Sequence, residues 1–97
     1  MNELMWLQNW FAVQCDGVWE HAHGIKIDTL DNPGWTVQVD LEGIQSPPRE
    51  VQEFKEDDGD DNWMHCVLSA KEFRGRGGPS QLEEILKTFR LWMEPQS

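Results

Sequence analysis

Apolar residues recur along this chain with two periods, and the switch between them predicts the elements. Near the start, Leu4, Leu7 and Phe11 repeat at i, i+3 and i+7, and Trp6, Trp10 and Val13 widen the stripe. That spacing predicts an amphipathic helix. Asn2 stands where a cap belongs, Glu3 suits the positive end of the helix dipole, and Asp16-Gly17 ends the run. Residues 18–24 read as a loop or short strand. The period then becomes two. Ile25-Lys26-Ile27-Asp28-Thr29-Leu30 alternates at first and residues 35–41 alternate throughout, with the turn-forming Asp31-Asn32-Pro33-Gly34 between them. This predicts an antiparallel hairpin. Ile25, Ile27, Trp35, Val37, Val39 and Leu41 are expected to face the core, and Lys26, Asp28, Thr36, Gln38 and Asp40 the other side.

Pro47-Pro48 bars helix and central strand. Residues 49–56 read as a third strand, with a bulge predicted where the alternation slips between Val51 and Phe54. A solvated turn at residues 57–62 leads into a fourth strand at 63–70. There Met64, Cys66 and Leu68 share one side, and Trp63, His65 and Val67 the other. Residues 73–79 read as irregular. In the last helix Ser80 and Glu83 form a predicted capping box, and Leu82, Ile85, Leu86, Phe89, Trp92 and Met93 make one stripe before Pro95. The expected fold is a single α+β domain over residues 1–97. It has a four-stranded antiparallel meander, an N-terminal and a C-terminal helix packed on one face, and the second face open.

Composition adds electrostatics to this picture. Eighteen acidic residues oppose eight basic ones in 97 residues, a formal charge of -10. Such a surface repels phosphate backbones and anionic membranes and attracts a basic partner. Solubility is the plainer use of the same charge. Glu50, Glu53, Glu56, Asp57, Asp58, Asp60 and Asp61 crowd the third strand and its turn. They form either a negative binding ridge or a solvated edge strand that charge protects from aggregation. Six tryptophans exceed what one small core needs, so Trp19 or Trp63 is a candidate exposed anchor. Cys15 and Cys66 form no framework, and no leader or membrane-length apolar run is recognised, so free thiols and a cytoplasmic setting are expected. An open sheet face and edge strands leave room for a homodimer.

Candidate chemistry is sparse. His21 and His23 on an extended segment would lie on one side, and with Cys15, Asp16 or Glu20 they would make a metal site; a single HxH without a second paired motif is weak. A small metal-binding or hydrolytic domain using Glu20, His21 and His23 is therefore the alternative to a binding protein. The competing structural reading has Asp16 and Glu20 satisfying backbone donors around the turn. Gly75-x-Gly77-Gly78 lacks the strand and lysine of a phosphate loop. Asp58, Asp60 and Asn62 begin like a calcium loop, but Trp63 stands where glycine is required. No catalytic residue, metal or cofactor is assigned.

Two strings carry a resemblance: Cys15-Asp16-Gly17-Val18-Trp19-Glu20-His21 and Leu30-Asp31-Asn32-Pro33-Gly34-Trp35. Together with Trp6-Leu7-Gln8 and Trp10, Trp63 with Cys66, and Phe73 with Gly75 and Gly77-Gly78-Pro79, they resemble the immunity protein 53 family of bacterial polymorphic-toxin systems. Phe11 stands where that pattern has tyrosine, and Val18 where a polar residue is commoner. The resemblance implies a non-enzymatic cytoplasmic protein that blocks a cognate toxin. A basic, nuclease-like toxin would suit the acidic charge. The expected toxin-facing surface is the ridge with Asp28, Gln38 and Asp40, and Asp16, Trp19, Glu20 and His21 form a second candidate patch.

Overall fold

A computed structural model describes residues 2–44, 46–59 and 62–94. Helix α1 (Glu3–Gln14) forms where the 3.6-residue period predicts it, and Asn2 Oδ1 caps it by accepting from the Met5 N–H at 2.7 Å. Residues 18–24 hold a helical turn in place of a loop or strand: α2 spans Trp19–Ala22. The predicted hairpin is present as β1 (Ile25–Leu30) and β2 (Gly34–Asp40), in continuous register from Ile25↔Val39 to Leu30↔Gly34. Gly34 is required for space. A Cβ there would lie 2.4 Å from the Gly77 carbonyl oxygen.

The remaining sheet departs from expectation in count and order. It has five strands: β3 (Gln52–Asp57), β4 (Trp63–Leu68) and β5 (Glu72–Gly77) follow the hairpin. The order is β1-β2-β5-β4-β3, all neighbours antiparallel, so β2 pairs with β5 and not with β3. β3, β4 and β5 form a meander of their own, and the chain crosses from β2 to the far edge to begin it. β3 starts after Val51 and pairs without interruption, so no bulge is needed to explain the slip.

The residues first read as irregular supply the central strand. Phe73, Gly75 and Gly77 point to the core, while Arg74 and Arg76 point away. Glycine is a poor strand former, and here packing decides. A Cβ on Gly75 would meet Ile85 Cγ2 at 2.5 Å, and one on Gly77 would meet Gln81 Cβ at 3.0 Å. The two glycines make the shallow seat on which α3 (Leu82–Met93) rests.

Helix α3 buries Ile85, Leu86 and Phe89, as its stripe predicts. Each such side chain contributes roughly 1.5–3 kcal/mol by burial. The predicted capping box does not form. Gln81 is the N-cap, without a side-chain cap bond, because a turn closed by Gln81 N–H to the Gly78 carbonyl delays the helix start past Ser80. α3 lies against β2, β5 and β4, and α1 lies beside α3. The rings of Trp6 and Trp10 meet Phe89 edge-on, at centroid distances of 5.8 and 5.2 Å. Arg90 Nη1 ties the helices by donating to Glu3 at 3.1 Å. α1 stays apolar on its outer side, with Leu4, Met5 and Val13 exposed. Both helices thus cover one sheet face.

Candidate functional site

The strand alternation sorts the ridge into two faces. Phe54 pairs with buried Cys66, so Gln52, Phe54 and Glu56 lie on the helix side of β3, and Glu53, Lys55 and Asp57 on the open side. All six β3 residues are exposed, because β3 is an edge strand. Glu50 and Asp58 flank it, also exposed. Asp60 and Asp61 lie outside the described residues, as does Pro95.

Asp28, Gln38 and Asp40 do lie on the open face, opposite Ile27, Val37 and Val39. That face is not an acidic sheet. It also carries Lys26, Lys55, Arg74 and Arg76, four of the eight basic residues, beside Asp28, Asp40, Glu53, Asp57 and Glu72. Arg74 pairs with Glu72 at 3.3 Å, Gln38 Nε2 donates to Glu72 at 3.1 Å, and His65 Nε2 lies 2.7 Å from Glu53 Oε2. The two arginines escaped the sequence reading because their strand did. The signal was the alternation Phe73-Arg74-Gly75-Arg76-Gly77, visible once glycine counts as a core residue.

Excess negative charge collects where the β3 end meets the first turn of α3. Glu56 lies near Asp58 and Glu84, and its carboxyl is raised above the ordinary value, first by a hydrogen bond to Asp58, then by the charges of Asp58 and Glu84 with a desolvation contribution between them. Beside this corner runs a groove of about 330 Å³ between β3 and α3, walled by Phe54, Met64, Leu91 and Trp92, with Glu56, Glu84, Lys87 and Thr88 along it.

In the second patch, Asp16, Glu20 and Trp19 make structural contacts. Asp16 Oδ1 accepts from the N–H groups of Val18 and Trp19, both at 2.9 Å, and Glu20 reaches back to those of Asp16 at 2.9 Å and Gly17 at 2.7 Å. The two carboxylates close the α1–α2 turn reciprocally. The Trp19 N–H first, then that of Val18, holds Asp16 below the usual carboxylate range. Glu20 is lowered by its own N–H first, with Gly17 and Asp16 adding to it. Trp19 is not an exposed anchor: it is 3% exposed, edge-on to Trp10 and Phe11 and stacked on His23. Trp63 is half-buried.

The helical turn also undoes the expected histidine pair. His21 sits on α2 and is exposed, whereas His23 follows it and faces Asp40, Nδ1 to Oδ2 at 3.6 Å. They share the wall of a 380 Å³ cleft with Lys26 and Gln38. Both Glu20 oxygens are already bonded to backbone donors, so no base faces that cleft from Glu20. Among the described residues, no group of three or more His, Cys, Asp or Glu side chains is placed to hold a metal ion. Cys15 and Cys66 are free thiols, and burial pushes Cys66 up to about 12 against a hydrogen bond from Thr88. No described helix is long and apolar enough to cross a membrane.

Fold and surface together define a small α+β protein, one sheet backed by two long helices, with its charged groups on edges and open faces. The chain belongs to the immunity protein 53 family, whose model matches residues 4–94. Membership of an immunity family implies a toxin as partner. Searches of curated proteins and of solved structures gave no match.

Proposed function

We propose that this protein neutralises a cognate bacterial toxin in the cytoplasm by occluding its active surface, without catalysis of its own. The observation that carries the reading is family membership over residues 4–94 joined to a formal charge of -10, with seven of the eighteen carboxylates falling between Glu50 and Asp61. A basic toxin, such as a nuclease, binds phosphate through a cationic groove, and an acidic protein competes for that groove and is steered to it. Glu50, Glu53, Glu56, Asp57, Asp58, Asp60 and Asp61 are the proposed contact residues, with Asp28, Gln38 and Asp40 on the adjoining face. Asp16, Trp19 and Glu20 hold α2 to the core behind this surface, and exposed His21, beside Gln38 and Asp40, is a second candidate contact.

Co-expression with the toxin encoded beside this gene tests the proposal. Growth rescue and co-purification as a stable complex are expected. Growth arrest with no complex would remove the immunity reading.

A further inference from the structure

We propose that the free edge of β3 and the groove between β3 and α3 receive an extended, positively charged segment of the toxin, which adds to the sheet as a sixth strand. This rests on the immunity reading and names its contact. Three observations converge on the place. β3 pairs only with β4 among the described residues, so one row of its backbone donors and acceptors is free, as strand addition requires. Beside that edge lies the groove of about 330 Å³, with Phe54 40% and Leu91 56% exposed, an apolar slot for alternate side chains of an incoming strand. At its end Asp58 and Glu84 stand close enough to Glu56 to raise its proton affinity, a like-charge strain that a bound lysine or arginine would relieve. Lys87 lines the groove but is outnumbered by these three.

Charge selects the occupant. A second copy pairing edge to edge would set Glu53, Glu56 and Asp57 against an equally acidic strand, which like charges disfavour. A basic strand meets the opposite sign. The other free edge, β1, borders a groove of Leu4, Leu7, Phe11 and Ile25, with Gln8 and His23 on its wall, that holds no carboxylate to pair with a cation.

The test uses the full chain and the neighbouring gene's toxin. Affinity and its salt dependence are measured for wild type, for Glu56→Lys with Glu84→Lys, for Leu91→Glu, and for Asp31→Lys, in the exposed β1–β2 turn at the opposite sheet edge, as a control. These exposed positions leave the core intact, and circular dichroism and Tm verify folding. The charge reversal should weaken binding about 30-fold or more and flatten the salt dependence, and Leu91→Glu about 10-fold or more. Asp31→Lys should stay within about threefold. Amide hydrogens of residues 52–57 should gain protection in the complex. If wild type binds but both groove variants bind within about threefold and these amides stay unprotected, the groove is overturned and the immunity reading stands. If wild type does not bind, both fall.

Discussion

Replacing Gly75 by alanine probes the packing that makes this fold possible. The added methyl would lie 2.5 Å from Ile85 Cγ2 and 3.2 Å from the Phe73 ring, both in fully buried side chains. The backbone at Gly75 is ordinary strand, with no positive φ, so the penalty is purely steric. Overpacking of this kind costs about 1–3 kcal/mol, and the lost glycine entropy in the unfolded chain returns about 0.4–1 kcal/mol. A contact as short as this one belongs near the upper end, which leaves a net loss of about 2 kcal/mol. For a domain of this length that lowers Tm by about 8–16 °C. Thermal and urea unfolding, followed by tryptophan fluorescence, measure it. The cause is checked by a second substitution. Ile85→Leu removes the offending Cγ2, so Gly75→Ala should cost less in that background, with a coupling of about 1 kcal/mol. A neutral or stabilising Gly75→Ala, or strict additivity with Ile85→Leu, would show that α3 does not rest on β5 in this way.

Phe89→Ala empties the point where Trp6, Trp10 and Phe73 converge; it should cost about 3–5 kcal/mol in urea unfolding, and a loss below about 1 kcal/mol would contradict the aromatic cluster. Asp16 and Glu20 have lowered proton affinities in the folded state, so their stabilisation is full above the ordinary carboxylate range and fades as pH falls through their folded values; Asp16→Asn should flatten the fall of Tm between about pH 5 and 3, and an unchanged profile would refute the turn assignment. Glu56 is shifted the other way, so its ionisation at neutral pH opposes folding; Glu56→Gln should raise Tm at pH 7, and a lowered Tm would argue against carboxylate crowding there. The buried Cys66 thiol, pushed up to about 12, should resist alkylation at neutral pH until denaturant is added, and rapid labelling in the native protein would show that the core is open.

Periodic segments revealed themselves in the sequence because burial writes a pattern. The stripe of α3 and the alternation of Trp35, Val37 and Val39 each name their buried face, and both faces are as expected. β5 stayed hidden because two of its three core-side residues, Gly75 and Gly77, are glycine, which leaves no apolar mark. The order of strands stayed hidden because alternation reports a face and never a neighbour. Asp16 and Glu20 looked equally like chemistry and like capping, and only hydrogen-bond partners distinguish the two. The acidic ridge was visible as charge, but its division between two faces required the register of β3 with β4. The arginines that interrupt the open face could not be placed before β5 was.

The placement of β5 between β2 and β4 also shapes how the chain reaches its native state. β1 with β2, and β3 with β4 and β5, can each assemble from neighbours in sequence. The seam between the two halves cannot: it joins Trp35 to Gly77 and Asp40 to Glu72. Closing that loop is unfavourable in entropy until its contacts form. The half-sheets also lack a lid before closure, since α3 spans strands from both. Seam closure is therefore the expected rate-limiting event. Val37→Ala at the seam should mainly slow refolding, while Ile27→Ala on the outer strand should mainly hasten unfolding. The reverse assignment in stopped-flow chevrons would place the barrier elsewhere. Until the seam closes, the half-sheets expose apolar faces and strand edges to whatever else is in solution, so the time spent before closure sets the protein's exposure to misassembly.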